Sequence, residues 1–326
     1  MLIIHRNNTN PYINLATEEY VLKYFQDDCF MLWRNEPCVI VGKHQNTLAE
    51  INLEYIRENE IPVVRRLSGG GAVFHDLGNL NFTFIQNGHD DNLIDFRKYT
   101  LPILDLLQKL GIEAKFEGRN DLTIDGKKFS GNAEHVWKKR VLHHGTLLFS
   151  AEMKDLTQAL KVDPLKFTDK AVKSVRSRVT NIREHLKQPM TVLEFADMLE
   201  KHIIEMYPDA NLISLNNNDH EKIDKLVKEK YGTWNWNFGY SPRYNFRKVL
   251  KTNGGTLDIN MEVKDGIIEQ IKIFGDYFNL KDTEEFEKKF IGKRHDTTEI
   301  STILDSIELD SYFKNVNKEE LLSVVF

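Results

Sequence analysis

Residues 65–75 read Arg65-Arg66-Leu67-Ser68-Gly69-Gly70-Gly71-Ala72-Val73-Phe74-His75, and this stretch decides how the chain is read. Pro62–Leu67 has the composition of a strand entering a loop. Ala72–His75 and Leu80–Gln86 read as two more strands, joined by Asp76-Leu77-Gly78-Asn79. Three consecutive glycines are entropically costly, so they belong where backbone must approach a ligand closely or take positive φ. Exposed amides of such a loop form an anion-binding concavity, and two preceding arginines suit phosphate or carboxylate. Side chains alternate along a strand, so only one of Arg65 and Arg66 is expected to face the ligand, and the sequence leaves open which. The segment is neither GxGxxG nor GxxxxGK[ST], and it runs into a strand rather than a helix. A glycine-rich bulge flanked by solvated arginines is the competing reading.

Working outward, Asp121–Ser130 is a second hairpin, with Asp125-Gly126 as a type I′ turn signal. A tight turn pairs Thr123 with Lys128 and Leu122 with Phe129. Leu122, Ile124 and Phe129 then share an apolar face, while Asp121, Thr123, Lys128 and Ser130 share a polar one. Asp121 and Lys128 are about one diagonal apart, roughly 7–8 Å between backbones. Such a lysine is a point charge for a phosphate or carboxylate, and such an aspartate can hold magnesium together with phosphate oxygens. A wet cross-strand salt bridge is the plainer reading. Further strands are expected at Phe30–Trp33, Cys38–Val41, Leu142–Phe149, Gly255–Val263 and Ile267–Phe274, the last two joined by an Asp265-Gly266 turn. Helices are expected from an Asn14 cap through Phe25, and over Leu53–Asn59, Leu101–Leu110, Met190–Tyr207 (started by Thr191) and Asp219–Tyr231, with two or three short ones closing the chain. Asp169–Asn181 reads as a loop or strand ends. Strands in hairpins imply an α/β (α+β) architecture with antiparallel or mixed sheets, and argue against a doubly wound dinucleotide fold.

The 326 residues, 41% hydrophobic and 29% charged with 8 prolines, exclude wholesale disorder and suggest about two domains. A net charge of −5 provides no global basic field for nucleic acid or anionic membrane. Neither a signal peptide nor a membrane span is expected, so the reading is a cytoplasmic protein. Cys29 and Cys38 make neither a disulfide framework nor a CxxC metal site, and both read as buried hydrophobes. His143-His144 lacks metal-ligand spacing, so one is expected to pack and the other to hydrogen-bond. Trp234 and Trp236 are expected to cover a domain junction within the turn-rich stretch Asn235–Phe246.

Taken together, Arg65–Phe84, Gly118–Ala133 (GRNDLTIDGKKFSGNA), His143–Phe149 (HHGTLLF), Lys173–Asn181 (KSVRSRVTN) and Trp234–Gly239 (WNWNFG) resemble the lipoate–protein ligase family, full-length bacterial type. The resemblance implies a biotin/lipoyl ligase catalytic domain over 1–246 and a small α+β accessory domain over 247–326. It implies two steps: lipoate and Mg-ATP give lipoyl-AMP and pyrophosphate, and a lysine of an acceptor lipoyl domain then takes the lipoyl group. Acceptors would be apo E2 subunits of 2-oxoacid dehydrogenases and the glycine cleavage H protein, and the enzyme would act as a monomer that scavenges lipoate. Lys128 and Arg66 would be catalytic. Arg66, Gly71, Ala72, Val73, Phe74, Asn120, Asp121, Lys128 and Ala133 would bind ATP or the adenylate. Ser68, Gly69, Gly70, Gly71, His75, Lys128 and His144 would bind lipoate, Asp121 would serve Mg2+, and Lys173–Asn181 would cover the adenylate.

Overall fold

The computed structural model describes residues 1–5, 7–88, 94–160, 167–169, 178–277 and 280–326. It divides into two compact units: one takes the described residues of 1–43, 59–160 and 174–233, the other those of 44–58, 161–173 and 234–326. The strands are β1 (Leu2–Ile4), β2 (Cys29–Trp33), β3 (Cys38–Val41), β4 (Val63–Arg65), β5 (Val73–His75), β6 (Asn79–Asn87), β7 (Ala114–Glu117), β8 (Asp121–Ile124), β9 (Lys127–Trp137), β10 (Arg140–Leu148), β11 (Phe167–Asp169), β12 (Asn211–Ile213), β13 (Tyr244–Thr252), β14 (Gly255–Lys264) and β15 (Ile267–Gly275). The first unit holds an eight-stranded sheet in the order β12-β1-β2-β6-β10-β9-β8-β7 and a three-stranded sheet β4-β3-β5. The β1 pairings are parallel, whereas the β2–β6, β6–β10 and β10–β9 pairings are antiparallel, so the architecture is mixed α/β.

Strands β5 and β6 follow one another in sequence but do not form the expected hairpin. β5 pairs with β3 in the small sheet, and β6 lies between β2 and β10 in the large one. The chain therefore changes sheets at Asp76–Gly78, where Asp76 Oδ1 accepts the Gly78 N–H at 2.8 Å and closes the turn.

Helix α1 (Pro11–Tyr24) is capped four residues before the expected Asn14 cap. Asn10 accepts hydrogen bonds from Tyr12 N and Ile13 N, and Pro11 occupies the first helical position, where its missing N–H costs nothing. Asn14 is instead buried, donating to Arg34 O and Asn35 Oδ1, each at 2.9 Å. Every residue from Asn14 to Leu22 is buried, Glu18 and Glu19 included. Carboxylates are tolerated there only because each finds partners.

While α2 (Leu53–Glu58) belongs to the second unit, α3 (Phe96–Lys109) of the first also starts ahead of expectation, because Asp95 caps it through Arg97 N and Lys98 N, and Pro102 is accommodated inside. α4 (Met153–Ala159) follows. α5 (Val192–Met206) carries the expected Thr191 cap as a full capping box with Glu194. α6 (Asn217–Leu226) ends in a π-helical turn, Val227–Tyr231. The core of this unit gathers Phe30, Phe82, Phe84 and Phe129 from the sheet with Leu106, Leu107, Phe195 and Leu199 from α3 and α5.

The second unit is a four-stranded sheet, β11-β13-β14-β15, antiparallel throughout. Asp265 and Gly266, both at positive φ, make the expected β14–β15 turn. Helices α7 (Thr283–Glu287), α8 (Thr297–Asp305) and α9 (Lys318–Val325) supply Phe286, Ile300, Leu304, Leu321 and Val324 to its core. His295 is buried among them; Tyr244 Oη lies 2.7 Å from its Nδ1, and its Nε2 donates to Val325 O at 2.7 Å. Trp234 packs within this unit too, stacked on Phe238 and lying under the Arg294 guanidinium. The position after Phe246 falls inside β13.

Candidate active site

The glycine stretch is built around a buried cation. Arg66 Nη2 donates to Gly69 O at 2.6 Å and Gly71 O at 2.8 Å, its Nε to Ser68 Oγ at 3.0 Å, and its Nη1 to Ile40 O at 3.3 Å. Only 6% of Arg66 is exposed. Burial lowers its pKa to about 10, with Glu18 opposing, so it remains a cation at neutral pH. Arg65 is fully buried and donates to Gly42 O and Lys43 O, so Arg66 shapes the loop while Arg65 braces the neighbouring strand end. Neither arginine is solvated, which rules out the plainer reading of this segment.

Two glycines are sterically required here. Gly70 has φ of 93°, and a Cβ on Gly42 would meet Gly70 O at 2.1 Å. Gly69 has open space on its Cβ side.

The loop is tied to the large sheet by a chain of buried hydrogen bonds. Trp33 Nε1 donates to Thr83 Oγ1 at 2.9 Å, and Thr83 Oγ1 donates to Glu18 Oε1 at 2.6 Å. Glu18 accepts from His144 Nδ1 at 2.9 Å, and Ser68 Oγ lies 2.6 Å from His144 Nε2. A hydrogen on Nδ1 satisfies every donor: Ser68 donates to Nε2 and in turn accepts from Arg66 Nε. His143 does not merely pack, as expected of one histidine of the pair. It contacts Glu134 Oε1 at 2.8 Å and Asn132 Oδ1 at 3.3 Å, so both histidines are buried and hydrogen-bonded.

His75 accepts a hydrogen bond at Nδ1 from Asn35 Nδ2, 3.1 Å away, since Asn35 Oδ1 is already taken by Asn14. Its Nε2 then carries the hydrogen, is buried, and has no partner among the described residues. Burial, the Arg66 charge and His144 hold the His75 pKa down at about 3.

The hairpin brings Lys128 Nζ to 2.8 Å from Asp121 Oδ1, with side chains 29% and 32% exposed. Its register departs from expectation. Thr123 pairs with Lys128, but a bulge follows, so Leu122 faces Ser130 and Asp121 faces Gly131. On its outer edge Lys128 N donates to Arg178 O and Lys128 O accepts from Thr180 N. Leu122, Ile124 and Phe129 stay buried. Gly131 leaves room for the lysine, since a Cβ there would sit 3.0 Å from Lys128 Nζ. Asn120 Nδ2 donates to Asn132 O at 2.6 Å, and Asn132 N and Nδ2 both return bonds to Asn120 O at 3.0 Å. Ala133 stands opposite His144 on the β9–β10 ladder. Ala72 and Phe74 are buried and Val73 half-buried, with Phe74 opposite Val39. Of the expected adenylate cover, residues 173–177 lie outside the described residues, and Arg178–Thr180 runs beside Lys128.

These residues fall into three linked groups: the Arg66 loop with Ser68 and His144, the Lys128–Asp121 pair, and the Asn120–Asn132 clasp. Glu18, Thr83, Asn132 and Glu134 were not singled out by the sequence. The available signal for Glu18 was two adjacent acidic residues in a helix whose other charged residue is Lys23. Among the described residues no group of three or more His, Cys, Asp or Glu side chains could hold a metal ion.

Residues 10–204 match the lipoyl protein ligase A/B catalytic domain, and residues 241–325 match the bacterial lipoate protein ligase C-terminus. The chain is 44% identical to lipoate-protein ligase LplJ of Bacillus subtilis (strain 168), over 100% of both chains. The chain belongs to the lipoate–protein ligase family. Solved structures that resemble the ligase include these two. One is from a bipartite lipoate protein ligase of Thermoplasma acidophilum, described with its E2 lipoyl domain. It has a TM-score of 0.63 and 26% identity, over 73% of this chain and 96% of that one. The other is a lipoate-protein ligase A bound with ATP, with a TM-score of 0.63 and 25% identity, over 73% and 98%. The fold of the ligase is thus a mixed α/β catalytic unit with a smaller antiparallel α+β unit.

Proposed function

We propose that the ligase joins lipoate to ATP and then to protein. A lipoate carboxylate oxygen attacks the α-phosphorus of ATP, the bond to the β-phosphate breaks, and pyrophosphate leaves. The ε-amine of a lysine on an apo lipoyl domain, an E2 subunit or H protein, then attacks the acyl carbon. AMP leaves with the bonding pair, and the amine loses its proton to solvent.

The observation that carries this reading is the Lys128–Asp121 pair, a cation and a carboxylate each about one-third exposed, in the same unit as a shaped glycine loop. The charges of Arg65, Arg66 and Glu18 are sunk in the fold and committed to internal bonds. Lys128 remains open enough to exchange its partner for an incoming anion. Two anions, a carboxylate and a triphosphate, have to meet, and a positioned lysine offsets their repulsion and the charge that builds at phosphorus. Arg66 holds the loop over them; Gly71, Ala72, Val73, Phe74, Asn120 and Ala133 would line the adenylate, and Ser68, Gly69, Gly70, His75 and His144 the acyl chain. The orphaned His75 Nε2–H is one donor waiting for a ligand. The residues fit magnesium in its usual enzyme mode, one carboxylate plus substrate phosphates, and Asp121 would hold it, where the ion supplies charge neutralisation. Lipoate scavenging by a cytoplasmic monomer, and a part for 247–326 in the first step, complete the proposal.

Intact-protein mass spectrometry of an apo lipoyl domain, incubated with the ligase, lipoate and Mg-ATP, tests it. One lipoyl addition is expected, absent without ATP and absent when the acceptor lysine is replaced by alanine. Addition without ATP, or none with it, overturns the proposal.

A further inference from the structure

A buried acid and imidazole stand behind the Asn120–Asn132 clasp and take no part in the chemistry above. Glu134 on β9 faces His143 on β10, with Oε1 2.8 Å from Nδ1 and side chains 2% and 0% exposed. Phe82, Phe96 and Tyr99 surround the imidazole, with ring centroids 5.8, 5.6 and 4.8 Å away. On its far side, His143 Nε2 lies 3.3 Å from Asn132 Oδ1. The Asn132 amide is oriented by its own donors: Nδ2 reaches Asn120 O at 3.0 Å and Ser130 Oγ at 3.3 Å. It occupies a slot that only a glycine leaves, since a Cβ on Gly145 would come within 2.2 Å of Asn132 Oδ1.

We propose that Glu134 and His143 share one proton, and that this protonated pair positions Asn132, and through it Asn120, at the nucleotide side of the site. The argument is one of counting hydrogens. Asn132 Oδ1 is an acceptor, so His143 Nε2 carries a hydrogen. The remaining contact, Glu134 Oε1 to His143 Nδ1, then needs a hydrogen of its own, because two bare acceptors at 2.8 Å repel. Either the acid donates to Nδ1 or the imidazolium donates to the carboxylate; both hold the same proton and no net charge. Burial favours the uncharged form. It lifts Glu134 to about 7, with the Asp95 charge also raising it and the Asp95 amide opposing, and it depresses His143 to about 3, with His144 adding.

Losing the shared proton forces a choice. The hydrogen moves to Nδ1 and leaves a bare Nε2 against Asn132 Oδ1, or Asn132 turns over and gives up its donation to Asn120 O. In both cases the clasp loosens. The titratable groups facing the pair are Asp95 at the α3 cap, Tyr99 on α3 and His144 beside it on β10; Asp28 also acts on Tyr99. The pair titrates as a unit among them. Glu134 and His143 are therefore positioning residues. The inference rests on the reading that Asn120 and Asp121 serve the nucleotide.

NMR of the full-length ligase labelled with 15N-histidine, alongside initial-rate pyrophosphate release, tests it. At about pH 6 His143 is expected as the Nε2–H tautomer. It should titrate with Glu134 near neutrality, and this titration should vanish in Glu134→Gln, whose amide donates to Nδ1 at any pH. KM for ATP should rise three- to tenfold on going to about pH 8.5, on the order of one lost hydrogen bond, while KM for lipoate stays level. Glu134→Gln should flatten that rise. Asn132→Ser, a second route should the first variant fold poorly, should raise KM for ATP at both pH values and leave the His143 titration in place. An Nδ1–H tautomer at about pH 6 overturns the proton sharing, and an unchanged ATP profile in Glu134→Gln overturns the positioning role. No pyrophosphate release by the wild type at any pH sinks the functional reading and the positioning role together, and the tautomer measurement still decides the shared proton.

Discussion

Ser68 Oγ lies 2.6 Å from His144 Nε2, and this contact fastens the glycine loop of the small sheet to the middle of the large one. Ser68 also accepts from Arg66 Nε, so one hydroxyl serves both the imidazole and the guanidinium. The loop is therefore preformed by buried bonds rather than by glycine flexibility.

Replacing Ser68 by alanine orphans the buried His144 Nε2, while Arg66 Nε keeps Gly69 O at 3.2 Å. An unsatisfied buried polar group costs about 1–3 kcal/mol, so Ser68→Ala should lose on the order of that amount in urea unfolding. It should also raise KM for lipoate. An unfolding midpoint equal to wild type would show that the chain through His144 contributes nothing to stability.

Lys128 should matter to turnover and not to folding. Its pair with Asp121 is partly exposed, and such ion pairs contribute about 0–1 kcal/mol. Lys128→Ala is expected to melt within a few degrees of wild type and to lose pyrophosphate release by orders of magnitude. Normal release by a folded variant would remove the lysine from the first step.

Gly42 tests the loop by steric means. A Cβ there meets Gly70 O at 2.1 Å, and neither atom belongs to a flexible side chain. Gly42→Ala should destabilise by about 1–3 kcal/mol, the usual cost of overpacking, and depress turnover by displacing Gly70. Thermal melts and steady-state rates read both effects, and wild-type values for each would refute the close approach.

Buried histidines set the acid limb of stability. His75 is depressed to about 3 by burial, Arg66 and His144. His295 is depressed to about 4 by burial, against the Val325 carbonyl and Asp296, which raise it. Both are below the value near 6.5 of an unfolded chain, so the unfolded state binds more protons at mildly acid pH. Their contribution is complete above about pH 6.5 and is lost as pH falls toward 4 and then 3, on the order of a few kcal/mol in total. Denaturation midpoints should fall steadily on acidification through that window. A flat profile would mean that these imidazoles are not held neutral.

Neither cysteine should take part. Burial pushes the Cys29 thiol up to about 12 and Cys38 higher still, far from the thiolate that acyl transfer through a thioester needs. The Cys29→Ala, Cys38→Ala double variant should keep pyrophosphate release and lipoyl transfer within about twofold of wild type, as expected where no nucleophile is removed. Loss of transfer alone, with the first step intact, would point to a thioester route.

Local signals carried much of this protein. The Asp125-Gly126 turn, the Thr191 cap and the Asp265-Gly266 turn act within a few residues, and each is where the sequence says. Helix starts were harder. Asn10 and Asp95 outcompeted later candidates because a cap depends on which backbone N–H groups are free, and Asn14 was needed elsewhere as a buried donor.

The sequence by itself determined the glycine loop, the Asp121–Lys128 face and the mixed, hairpin-rich architecture, since period, turn chemistry and charge spacing are properties of neighbouring residues. Only the tertiary structure decided that Arg66 rather than Arg65 builds the loop, that a bulge resets the β8–β9 register, and that Glu18 and Glu134 stand behind the two histidines. Those partners are 9 to 126 residues apart, and a buried hydrogen bond is satisfied by whatever the packed sheets bring within 3 Å, which no local pattern encodes.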